Sequence, residues 1–151
     1  MIKRYNLELE GQRDFYDSYL KLIDNSLTVD EILSDNTDGV LNGNLLEFKI
    51  NINDLNAVLF QAIKYLSAFR IKGKPVPSNI ILISLNDGKA FYYHSADYLK
   101  YIEQVYIGSA SRDNSGFVGG HPLAELCYID NPSDEAKLIS LLREKHYTKI
   151  H

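Results

Sequence analysis

The dipeptide Asn42-Gly43 sits between two short apolar runs, Val40-Leu41 and Leu45-Leu46. It constrains the fold more than any other part of the chain. Both residues of a type I′ turn need positive φ, and Asn-Gly meets that requirement best. A two-residue loop also fixes the register of its hairpin. Val40 must face Leu45, Gly39 must face Leu46, and Asp38 must face Glu47. Side chains directly opposite in an antiparallel pair share a face, with Cβ atoms about 5 Å apart. Lys49 lies two residues beyond Glu47 and projects from the same face. The stretch 36–50 therefore gathers two carboxylates and an ammonium at one point on a sheet.

Opposed like charges destabilise a hairpin, so this arrangement calls for a counterion. Mg²⁺ prefers carboxylate oxygens and keeps several waters, which leaves room for a phosphate and an attacking water. Lys49 is placed to orient or deprotonate that water, or to stabilise charge on the phosphate. The chemistry that suits this set is metal-dependent phosphodiester hydrolysis. The competing reading is a solvated hairpin face that carries its charges by chance.

Asp38 followed by Glu47-Phe48-Lys49 resembles the Asp…Glu-x-Lys signature of the PD-(D/E)xK nuclease superfamily, which includes many restriction enzymes. Gln61 and Tyr65, on the helix expected after the hairpin, are similar to the Gln-x-x-x-Tyr motif of one branch. That branch includes bacterial recombination helicase-nucleases and several restriction enzymes. The resemblance covers residues 36–70 and continues loosely to about residue 95. Thr37 stands where the name-giving proline would be, and the gap from Asp38 to Glu47 is short for the family. The resemblance implies a restriction-endonuclease-like α/β fold, a mixed central β-sheet flanked by helices. It implies Asp38, Glu47 and Lys49 as catalytic residues, with Asp38, Glu47 and the Phe48 carbonyl on Mg²⁺, for which Mn²⁺ can substitute. Gln61 and Tyr65 would position a DNA substrate. An acidic residue near the first helix often joins the metal site in this family, and Glu8, Glu10 and Asp14 compete for that role. Each of the three also reads as a solvated surface acid.

Acidic-x-Lys alone carries no information, because Asp87-Gly-Lys89 and Glu135-Ala-Lys137 repeat it, the first in an expected turn and the second on an expected helix. The conjunction of hairpin, opposed Asp38, apolar strand and following helix is what distinguishes Glu47-Phe48-Lys49.

The rest of the chain reads as one domain. At 151 residues and 45% apolar it can bury a real core. Phe15, Tyr16, Tyr19, Leu20 and Ile23 recur at helical spacing between Gln12 and about Asn25, after a lead-in over residues 1–10. Thr28-Val-Asp-Glu31 has the form of a capping box, which makes Glu31 a cap in preference to a ligand. Asn53 is the expected N-cap of a helix running to about Phe69, with Leu55, Val58, Leu59, Ala62, Leu66 and Phe69 as its buried stripe. The loop Ile71 to Pro77 either approaches a DNA backbone or is a solvated connector. The continuous run Ile80 to Leu85 is the mark of a strand buried on both faces. Asn86-Asp87-Gly88 should turn it into a second strand, Ala90 to His94, followed by a short helix over Ala96 to Ile102. A Gly/Ser-rich loop over residues 108–120 offers Arg112 as a phosphate contact and lacks a nucleotide-binding phosphate loop. Asn131 and Pro132 open a last helix.

Cys127, alone, excludes a disulfide framework and suits a reducing cytoplasm. No run has the length of a membrane span, and Met1 to Tyr5 lack the apolar core of a signal peptide. A net charge of −4 fits poorly with a free-standing DNA-binding protein. It implies a module whose DNA targeting comes from a fused or partner domain, such as the methyltransferase of a restriction-modification enzyme. The run His146 to His151, with no terminating signal after the last helix, reads as the end of one domain cut from a longer polypeptide. The alternatives are an inactive nuclease fold and an unrelated interaction module.

Overall fold

The computed structural model describes residues 4–35, 39–106, 116–144 and 147–148. In chain order the elements are α1 (Glu8–Ile23), α2 (Val29–Asp35), β1 (Val40–Leu41), β2 (Asn44–Lys49), α3 (Leu55–Ile71), β3 (Val76–Pro77), β4 (Asn79–Ser84) and β5 (Lys89–His94). A 3-10 turn (Ser95–Tyr98) then leads into α4 (Leu99–Ile102), β6 (Ala124–Cys127), α5 (Pro132–Arg143) and β7 (Tyr147–Thr148).

Asn42 and Gly43 take φ of 53° and 79° and close the hairpin. The register is the expected one, Val40 opposite Leu45 and Leu41 opposite Asn44. It extends one step further, because the Leu46 N–H donates to the Gly39 carbonyl at 2.8 Å. The Asn42 and Asn44 amides donate to the Leu142 and Leu141 carbonyls at 2.9 and 3.2 Å, which fastens the turn to the end of α5.

Every residue of β4 is buried, as its unbroken apolar run requires. It is the central strand of a mixed five-stranded sheet ordered β1-β2-β4-β5-β6. β2 and β4 run parallel, so a crossover must carry the chain back between them, and α3 supplies it. Helices then cover both faces. Leu46, Phe48, Ile81 and Ile83 pack with Phe15, Tyr16, Leu20, Leu138 and Leu142 on the side of α1 and α5. Leu45, Ile80, Leu82 and Tyr93 pack with Leu59, Ile63, Leu66 and Ile102 on the side of α3 and α4. The result is an α/β domain, a mixed sheet between two helical layers. A separate two-stranded ribbon pairs β3 with β7.

Two caps match expectation. The Thr28 hydroxyl donates to Glu31 at 2.8 Å and accepts the Glu31 N–H at 3.2 Å, so Glu31 is a cap. Asn131 accepts the Asp134 N–H at 3.1 Å. Two boundaries and one strand differ. The first helix starts at Glu8, four residues before Gln12, since Glu8 and Glu10 favour the positive end of the helix dipole. Asp54 caps α3 in place of Asn53. The strand β6 has only four residues, too short for a period-2 signal, and the sequence does not announce it. Residues 107–115, with Arg112, lie outside the described residues.

A glycine closes the end of α3. Gly73 has φ of 72°, and the Gly73 and Lys74 amides donate back to Arg70 and Phe69 at 3.1 and 2.9 Å. This is a Schellman closure. No atom within 4 Å would meet an added Cβ, so Gly73→Ala carries only the left-handed backbone cost. We expect it to lower stability by about 1 kcal/mol, read as a shift of urea midpoint at constant m.

Candidate active site

Alternation along β2 sends Leu45, Glu47 and Lys49 toward α3, and Leu46 and Phe48 toward α1. Glu47 and Lys49 are thus neighbours on one face, and the Lys49 Nζ stands 3.6 Å from a Glu47 carboxylate oxygen. Both are largely covered, with side-chain exposures of 15% for Glu47 and 29% for Lys49. Burial raises the Glu47 pKa above its ordinary 4.5, the charge of Glu8 adds to the rise, and Lys49 opposes it.

Glu47 lies in the wall of a cleft of about 450 Å³ between α1, α2 and the end of α3. α1 contributes Glu8, Gln12 and Tyr16, and α2 contributes Ile32 and Leu33. The hairpin contributes Gly39 and Leu46 to Phe48, while Tyr65, Ala68, Phe69, Lys72 and Lys74 close the far side.

The structure brings together Glu47, Phe48 and Tyr65 in the cleft wall, with Lys49 joined through its ion pair to Glu47. Lys49 is not itself part of that wall. Gln61 is exposed and does not line the cleft, one helical turn before Tyr65 on α3. The two share a helix edge, but the cleft reaches only the last turns of α3. Asp38 lies outside the described residues. Of the three acids near the first helix, Glu8 lines the cleft, Glu10 is exposed, and Asp14 accepts the Tyr5 hydroxyl at 3.1 Å. The other acidic-x-Lys pairs serve the fold. Asp87 accepts the Ser84 hydroxyl at 2.6 Å in its turn, Lys89 faces Glu125 at 3.4 Å, and Glu135 accepts the Tyr19 hydroxyl at 2.7 Å. His94, exposed at the end of β5, contacts the Tyr92 hydroxyl and does not line the cleft.

The cleft walls from α2 were not legible in sequence. The capping box located the helix, but only the tertiary packing of Ile32 and Leu33 beside the hairpin turns it into a wall. As a donor set, Glu8 and Glu47 supply hard oxygen ligands of the kind Mg²⁺ takes. Among the described residues no group of three His, Cys, Asp or Glu is close enough to hold a metal ion. No family model, curated protein or solved structure matches the chain.

Proposed function

We propose that this chain is a Mg²⁺-dependent nuclease domain that hydrolyses DNA phosphodiester bonds at the Glu47 cleft. One observation carries the reading: a half-buried carboxylate, Glu47, shares a cleft with a second carboxylate, Glu8, and has an ammonium 3.6 Å away. Burial works against charge on Glu47, and such perturbed acids in clefts mark functional sites. Their placement suits phosphate chemistry better than it suits the fold.

In this reading Glu47 and Glu8 would hold the cation, together with Asp38 and the Phe48 carbonyl. Bound Mg²⁺ supplies Lewis acidity and charge neutralisation at the scissile phosphate. Lys49, as an ammonium, would orient the attacking water and stabilise the charge that develops on the phosphate. Tyr65 holds the substrate at the cleft mouth. With a net charge of −4, DNA targeting falls to a fused or partner domain, in the setting of a cytoplasmic restriction-modification enzyme. Among the described residues no helix is long and apolar enough to cross a membrane. The same charge favours a second reading, a nuclease fold that binds a partner and no longer cleaves.

Supercoiled plasmid incubated with the protein separates these readings. Nicking is expected with Mg²⁺ or Mn²⁺ and not with EDTA. Calorimetric metal titration of wild type beside Asp38→Ala completes the test, with wild type expected to bind more tightly. Equal and negligible binding by both, with no nicking, would sink the nuclease site.

A further inference from the structure

The cleft has a second half whose residues take no part in metal binding or water activation. Between Leu55 and Asn86 the chain carries Lys64, Arg70, Lys72 and Lys74 and no aspartate or glutamate, within a protein of net charge −4. Arg70 is committed to the fold, donating to the Ile102 and Glu103 carbonyls at 3.0 Å each. Lys72 and Lys74 line the cleft from either side of Gly73, held there by the Schellman closure. Beside them in the wall stands Tyr65, 51% exposed, a large aromatic ring left open to solvent. The lining thus holds, besides Glu8 and Glu47, two lysines and one exposed ring, with the Lys74 ammonium 5.9 Å from the centroid of the Phe69 ring.

We propose that the Tyr65, Lys72 and Lys74 wall is a subsite for one unpaired nucleotide, so that the protein engages single-stranded nucleic acid in preference to blunt duplex. The inference rests on the nuclease reading for its biological role, but the subsite makes its own claim. Every base has a π-face, and aromatic rings hold single strands by stacking on it, while lysines neutralise the adjoining phosphates. A base inside a duplex has both faces covered by its neighbours and cannot offer one to Tyr65. A cleft of about 450 Å³ also falls in the size range of sites for single small-molecule-sized units. The hydroxyl of Tyr65 is then secondary to its ring.

Fluorescence anisotropy with a labelled dT20 strand tests this, against a blunt duplex of the same length, in EDTA so that no cleavage intervenes. Wild type should bind dT20 about tenfold more tightly than the duplex. Tyr65→Ala should weaken dT20 binding about tenfold, while Tyr65→Phe should stay within about twofold of wild type. Lys72→Ala with Lys74→Ala should weaken binding and flatten its salt dependence by about one unit of slope per lysine. Tyr65 is exposed, so circular dichroism should show both tyrosine variants folded. Wild-type affinity in Tyr65→Ala, equal affinity for strand and duplex, or no binding of dT20 would each overturn the subsite. Because the readout is metal-free, nicking with a normal Tyr65→Ala affinity rejects the subsite alone, and strand binding with neither nicking nor metal binding rejects the nuclease reading alone.

Discussion

Lys49→Ala and Glu47→Gln should each lower metal-dependent plasmid nicking about a thousandfold, yet move stability in opposite directions. The loss of activity follows from their roles, since a fixed donor that stabilises developing charge contributes about 10²–10³-fold and a charged metal ligand is not replaced by an amide. Stability separates the two. The folded Glu47 carboxyl titrates above its ordinary 4.5, chiefly because it is buried. Above that value the unfolded chain releases the proton readily, while the folded protein releases it only at a cost. Stability therefore falls as pH rises through 4.5 toward the folded pKa, and the deficit persists at neutral pH. Glu47→Gln removes it and should raise the metal-free Tm at pH 7 by a few degrees, about 1 kcal/mol. Below about pH 4 the variant and wild type should coincide. Lys49→Ala deletes the cation that opposes this cost and should lower stability at pH 7 by about 1–2 kcal/mol. Thermal melts across pH 3–8 in EDTA read both effects. A Glu47→Gln protein less stable than wild type at pH 7 would contradict the assignment of a strained acid, and full nicking by either variant would contradict the active site.

Phe48→Ala should have the largest effect on folding, about 3–5 kcal/mol. The ring is 5% exposed, with its centroid 5.3 Å from that of Phe15 and 5.6 Å from that of Tyr16. It pins β2 to α1 from the face opposite Glu47 and Lys49. Truncation opens a cavity beneath the strand that carries the site. Against a typical domain stability of about 5–15 kcal/mol that is a large fraction, seen as a lower urea midpoint. Phe48→Leu keeps most of the volume and the backbone carbonyl, so it should cost about 1 kcal/mol and retain nicking. A cost below 1 kcal/mol for Phe48→Ala would mean that β2 is held by something other than this aromatic cluster.

The hairpin, the capping box at Thr28, the Asn131 cap and the buried β4 strand were all legible in the chain. Each is written in residues a few positions apart, where turn geometry, cap hydrogen bonds and side-chain alternation act directly. The same locality placed Glu47 and Lys49 on one face, because a strand repeats every two residues. Local pattern failed where neighbours in space are distant in sequence. Helical spacing put Gln61 and Tyr65 on one edge of α3, but not which turn of that helix the cleft would reach. Three acids near the first helix were equivalent in sequence, and packing against the hairpin singled out Glu8. The loop Ile71 to Pro77 read equally as a connector and as an approach to DNA backbone, and only the structure shows that its Lys72 and Lys74 line the same cleft as Glu8 and Glu47. The sequence by itself determined the main helices, the hairpin with its register, the buried β4 strand and the shared face of Glu47 and Lys49. Only the tertiary structure decided which charges share a cleft, because burial and long-range electrostatics depend on how whole layers pack.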